Sequence, residues 1–223
     1  MNRNIPKTYL GVVVMLGAVW GFSEAVLGMW LRSCASFFSG AIMTGVALFF
    51  IAATWVFARN ILGIALLIVT ASLFKMFDAL LLSLPIKHGA VANPIFAFFM
   101  ESMAFLVLIL IFDEKLRQKI AGQALLGGMA ALLAVNLFPL VKYATGIPAC
   151  VFPGTAYPLS LYYAPLSSFL SFVTVPLGLW AGAKIKVLET KFEEANLARK
   201  LRYLASPATL ILCLGIIALI RLF

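Results

Sequence analysis

Apolar residues run along this chain in long unbroken blocks, and polar residues gather in the short breaks between them. Seven blocks reach the length of about 17–25 residues that crosses a bilayer. They predict helices over 9–31, 37–57, 61–85, 94–112, 120–141, 164–183 and 207–222. The blocks do not alternate apolar with polar positions, which excludes a transmembrane barrel. The predicted class is therefore all-α: a polytopic integral membrane helical bundle, folded as a single transmembrane domain over 1–223. Basic residues precede the first block, as in a signal peptide. No small-x-small cleavage site follows a short apolar core, so the block reads as a retained helix.

The breaks carry their own predictions. Residues 184–205 (KIKVLETKFEEANLARKLRYLA) read as a charged cytoplasmic amphipathic linker helix with Leu188, Phe192, Ala195 and Tyr203 on one side. Such a helix lies on the headgroups or offers a docking surface. Ser206-Pro207 reads as the N-cap and first position of the last span, and Asn93-Pro94 as the same pair for the fourth. Residues 142–163 hold Pro148, Pro153, Pro158 and four tyrosines. A loop this long is expected to fold over the bundle mouth as a lid or partly re-entrant cap.

Composition strengthens the class: 64% of the 223 residues are hydrophobic and 11% charged, with mean hydropathy +1.08. A soluble domain could not keep so much apolar surface from water. The net charge of +9 would suggest nucleic acid in a soluble protein; here its placement sets topology. With the N-terminus inside, the cytoplasmic breaks hold Arg3, Lys7, Arg59, Lys115, Arg117, Lys119, Lys184, Lys186, Lys191, Arg199, Lys200 and Arg202. The outer breaks hold only Arg32, Lys87, Lys142 and Arg221. The positive-inside rule then places the N-terminus in the cytoplasm and the C-terminus outside, in a cell (plasma or inner) membrane. Trp30, Trp55 and Trp180 fall near predicted helix ends, as an interfacial belt would have them.

Against this apolar background stand Glu24, Lys75, Asp78 and Glu101, all predicted in the outer half or near the midplane. Charges there are costly and default to functional roles. Gly17, Gly21, Glu24 and Gly28 follow i, i+4, i+7, i+11 and share one helix face, where small residues admit a second helix. Lys75 and Asp78 are three apart and are expected to pair. Pro94, Phe98 and Glu101 share a face that descends from the outer surface, with Asn93 at its mouth. The fifth helix adds Asn136, the kinking Pro139, and Lys142 with Tyr143 at its outer end. Together with Tyr162 these residues outline an outward-facing polar pocket over an apolar floor.

Enzyme signatures are missing: the sequence has no GxSxG, HExxH or phosphate loop, and one histidine with three scattered cysteines does not make a zinc site. No cofactor or metal is expected. Cys34 and Cys150 both fall on the outer side, where a disulfide is possible chemically, and Cys150 with His88 makes a conceivable nucleophile–base pair.

Residues 39–112 read SGAIMTGVALFFIAATWVFARNILGIALLIVTASLFKMFD, an outer turn, then NPIFAFFMESMAFLVLILIF, preceded by the ridge Gly17-x3-Gly21-x3-Ala25. This architecture resembles the substrate-binding (S) subunits of energy-coupling-factor vitamin transporters. The resemblance implies a small hydrophobic subunit with an outward-facing substrate site under a loop. It also implies a small-residue motif on the first helix that docks a membrane scaffold working with ATPase subunits. The seventh helix and its charged linker exceed that family's six.

Three functions are consistent with these residues. The first is a substrate-binding subunit or small transporter that captures a polar, vitamin-like small molecule from the outer side. Glu24, Lys75, Asp78 and Glu101 would supply charge-assisted hydrogen bonds, and Asn93, Phe98, Asn136, Lys142, Tyr143 and Tyr162 the shape. The second is an intramembrane enzyme acting on a lipid-linked substrate. The third is a proton- or cation-coupled secondary carrier, or a non-catalytic assembly subunit. Nucleic acid is not an expected partner; the lipid bilayer is.

Overall fold

A computed structural model of the chain describes residues 7–32, 36–152, 154–194 and 196–222. Side chains are not described at 7–8, 29–32, 36–37, 192–194 and 196–203. Cys34 and the side chains of Trp30, Arg32, Phe192, Ala195 and Tyr203 thus lie outside the described residues.

Among the described residues, seven helices are long and apolar enough to cross a membrane. They are α1 (Lys7–Arg32), α2 (Ser36–Ala58), α3 (Ile61–Leu81), α4 (Gly89–Ile111), α6 (Ile120–Leu137, continued to Thr145), α8 (Leu159–Glu194) and α9 (Asn196–Leu222). The short α5 (Glu114–Arg117) lies between α4 and α6. A 3₁₀ turn over Phe138–Leu140 and the short α7 (Val141–Thr145) prolong α6. Leucine, isoleucine and phenylalanine cover the outside, among them Leu62, Leu80, Leu110, Ile111, Phe169 and Ile211. An apolar surface all round is what lipid requires and water forbids. The chain is a multi-pass helical membrane protein.

Local chemistry fixes several boundaries. Asn60 caps α3, its side-chain oxygen accepting from the Gly63 N–H at 2.7 Å. Arg59 (φ 45°) makes the turn from α2. At α4 the N-cap is His88, not Asn93: His88 Nδ1 accepts from the Ala90 N–H at 3.2 Å. The helix therefore starts at Gly89, and Asn93 and Pro94 lie inside it. Pro94, the sixth residue of the helix, leaves the Ala90 carbonyl without its i+4 N–H donor. The charged linker also departs from expectation. It is not a separate surface helix. Residues up to Glu194 continue α8, residues from Asn196 open α9, and Pro207 sits inside α9 rather than starting it. At 36 residues, α8 is about 54 Å long at 1.5 Å per residue, well beyond a hydrocarbon layer of about 30 Å.

Packing follows the small residues. α8 lies along α2 and α6. Added Cβ atoms at Gly178 and Gly182 would strike the backbone of Phe49 and Ala53 on α2. On α6, a Cβ at Gly127 would strike the Ser171 backbone of α8, and one at Gly128 the Phe172 ring. α1 packs on α3, α4 contacts α6, α2 and α3, and α9 leans on α1 from outside. The centre is filled by Trp20, Leu48, Ile51, Ile64, Leu67, Phe105 and Leu126, all essentially buried. The Trp20 and Phe98 rings meet across α1 and α4 with centroids 4.6 Å apart.

Candidate functional site

The C-terminal ends of α1, α3 and α9, the N-terminal part of α4 and the segment after α7 all lie at one end of the bundle. Glu24, Lys75 and Asp78 are buried toward that end and Glu101 farther in, at the middle of α4, each between 3% and 7% exposed. α1 delivers Glu24 because Gly17 and Gly21 let it touch α3. An added Cβ would lie 2.7 Å from Thr70 Cβ at Gly17 and 2.5 Å from Phe74 Cβ at Gly21. The small ridge is thus filled by the chain's own third helix. Farther along, Gly28 leaves room: Lys75 Nζ and Met43 Cε lie about 4 Å from where its Cβ would be.

Lys75 and Asp78 form the expected pair, Nζ to Oδ2 at 3.7 Å. They are not alone. Arg221 of α9 donates from Nε to Asp78 Oδ1 at 2.6 Å and from a terminal guanidinium nitrogen to the Ala25 carbonyl at 3.4 Å. Asp78 therefore carries two cations, and the shorter contact is to the residue that the sequence places among the outer surface charges. Arg221 is only 11% exposed at its side chain. An arginine in the last turn of an apolar helix reads as a snorkelling interfacial residue. Only the docking of α9 on α1 and α3 shows otherwise.

Glu101 lies in a different setting. It is electrostatically coupled to Glu24 and hydrogen-bonds the Thr44 hydroxyl of α2. Tyr163 of α8 feels its charge in turn. Among the described residues, no lysine or arginine is paired with Glu101. It borders a cavity of ≈ 20 Å³ lined by Thr44, Ala97, Met100, Glu101, Ala134, Val135, Phe138 and Tyr163. That is room for about one water molecule. The 3₁₀ turn at Phe138–Leu140 closes one wall, and the Tyr163 ring rests against Gly40 of α2. Thr44 carried no sequence signal, being one of four hydroxyl residues on α2. Tyr163 was visible only as one of four tyrosines near the outer loop.

Other predicted site residues stand apart from this cavity. Phe98 is buried one turn from Glu101, against Trp20. Asn93 is half-buried in α4, and its side-chain oxygen has no hydrogen-bond partner. Asn136 is exposed, donating to the Leu132 carbonyl of its own helix at 2.7 Å. Lys142 and Tyr143 are exposed on α7. Tyr162 stacks on Phe152 at 4.2 Å. The stretch after α7 turns at Gly146 (φ 75°). It then folds back through a Val151–Pro158 bridge, with the Leu159 N–H donating to the Cys150 carbonyl at 2.7 Å. Ile147 rests near Gly89 at the start of α4.

Cys150 is an exposed free thiol and Cys213 a buried one. His88 is exposed, with Nδ1 engaged in its capping bond. The described residues contain no group of three or more His, Cys, Asp or Glu able to hold a metal. The floor below the cluster is mainly apolar, but it includes buried hydroxyls. Thr54, Ser102 and Ser171 are at most 2% exposed and without hydrogen-bond partners. No family model, no curated protein and no solved structure matches this chain.

Proposed function

We propose that the protein is a membrane-embedded solute-binding subunit or small transporter. It takes a polar small molecule in the part of the bundle where Glu24, Lys75, Asp78, Glu101 and Arg221 are buried. One observation carries this reading: ionisable side chains on α1, α3, α4 and α9 are buried inside an otherwise apolar bundle, Asp78 with Lys75 and Arg221, and Glu101 coupled to Glu24. Charge kept within a membrane is tolerated where it lines a substrate path or relay. The positive-inside count supports an outward-facing mouth and a cell-membrane location.

A vitamin-sized ligand occupies about 300 Å³ or more, against ≈ 20 Å³ at Glu101. Binding such a solute requires the helices around Glu101 to part. If separate ATPase subunits energise transport through a membrane scaffold, that scaffold docks on a face other than the Gly17–Gly21 ridge, because α3 occupies it.

The test is uptake and ligand binding by purified protein in liposomes, with the solute identified by mass spectrometry of what co-purifies. Glu101→Gln keeps the shape and removes the charge. Its solute affinity is expected to drop at least about tenfold, the worth of one charge-assisted hydrogen bond, with the melting temperature preserved. Wild-type affinity in both Glu101→Gln and Glu24→Gln would sink the proposal.

A further inference from the structure

Asp78 has two cations beside it and Glu101 has none among the described residues. Yet Glu101 is 5% exposed and borders a cavity. A carboxylate offers about four acceptor positions. Glu101 has the Thr44 hydroxyl as its hydrogen bond, and Glu24 adds a second negative charge nearby. The remaining lining supplies more oxygen. Tyr163 contributes its phenol. Val135 lines the cavity too, and its backbone carbonyl has no N–H partner four residues on, because that residue is Pro139. The 3₁₀ turn over Phe138–Leu140 marks the place where the helix ladder is interrupted, beside Glu101. Helix breaks that free carbonyls beside a carboxylate are how carriers hold coupling ions near the bilayer midplane.

From this geometry we infer that the Glu101 cavity is a binding site for a dehydrated monovalent cation, Na⁺ or K⁺. The site is built from the Glu101 carboxylate, the Thr44 and Tyr163 hydroxyls and the Val135 carbonyl. All-oxygen ligands suit a hard cation. The cavity admits one water-sized particle, which leaves no space for the waters Mg²⁺ retains, and the four oxygens named fall short of the six to eight that Ca²⁺ takes. The inference deepens the proposed function by giving the solute site a coupling ion, and it can fail separately from it.

The experiment measures melting of the purified protein in choline chloride while NaCl or KCl replaces choline at constant ionic strength. Binding of ²²Na⁺, with and without K⁺ as competitor, is measured in parallel. Wild type is expected to show a saturable rise of several degrees with one of the two ions, as a ligand specific for the folded state must produce. Glu101→Gln is expected to lose the saturable component while melting normally in choline, and Thr44→Val to weaken the half-saturating concentration about tenfold. The inference is overturned if neither ion does more than choline, which would leave Glu101 neutralised by a proton. It is also overturned if Glu101→Gln and Thr44→Val respond as wild type does, which would put the ion elsewhere. Solute uptake that persists in choline medium without any ion response removes the cation site and leaves the solute-binding reading intact.

Discussion

Asp78→Ala is expected to be the most destabilising polar substitution in the bundle. Its carboxylate accepts from Arg221 Nε at 2.6 Å and lies 3.7 Å from Lys75 Nζ. Both cations are nearly sealed from the surroundings, with side chains 11% and 5% exposed. Removing the one group that faces both leaves two buried positive charges with their desolvation uncompensated, a loss of about 3–5 kcal/mol for a broken buried pair. In detergent the variant should lose most of its cooperative melting, and α9 should become accessible to protease. Arg221→Met should be milder, because Asp78 retains Lys75. A Lys75→Met, Asp78→Leu, Arg221→Met triple variant should recover most of the wild-type melting temperature, since apolar side chains of similar volume replace buried ion pairs at little cost. An Asp78→Ala protein that melts with wild type would show that the three charges do not hold α9 in place.

The second large effect is steric. An alanine Cβ at Gly21 would stand 2.5 Å from Phe74 Cβ and 2.9 Å from its ring, with the Ala71 backbone at 3.2 Å. The obstacle is the root of the phenylalanine side chain, which cannot swing away. α1 must therefore retreat from α3 along the stretch that positions Trp20 and Glu24. Gly21→Leu should lose about 3 kcal/mol, the upper end of the ordinary overpacking range. Gly28→Ala meets only the flexible ends of Met43 and Lys75 at about 4 Å and should be close to neutral. Pairing Gly21→Ala with Phe74→Gly, which removes the obstructing Cβ, should be less damaging than the two single changes combined, because neighbouring sites couple. Thermal melting of the purified single and double variants decides this. If Gly21→Leu melts normally but loses only an interaction with another protein, the ridge faces a partner and not α3.

Much of the fold was legible because the bilayer restricts the choices. Blocks of apolar residues of spanning length can only be helices there, and seven such helices are present among the described residues. What sequence missed lies where two local rules compete. Asn93-Pro94 makes a good helix start, but His88 supplies a cap five residues earlier and the helix takes in Pro94. The charged stretch after residue 184 has the composition of a surface helix, but no glycine or proline stops α8 there, so it runs on to Glu194. The candidate site was half legible. Charges in apolar helices announce themselves by their cost, and helical spacing joined Lys75 to Asp78. Arg221 and Thr44 were invisible for a shared reason: each is unremarkable on its own helix and matters only through a neighbour distant in sequence. Asn136 shows the reverse, a polar residue at mid-span that satisfies itself on its own backbone.

The Arg221–Asp78 contact joins residues 143 positions apart, and that separation orders the protein's biogenesis. A ribosome threads α3 into the bilayer long before it reaches α9. During that interval Asp78 has Lys75 as its countercharge and the groove beside α1 is open. The apolar part of α9, Leu204–Leu222, then arrives bearing one guanidinium, that of Arg221, and the waiting carboxylate offers it a position at which to stop. In the finished bundle the ion pair is thus a registration mark, holding α9 at one position along α1 and α3.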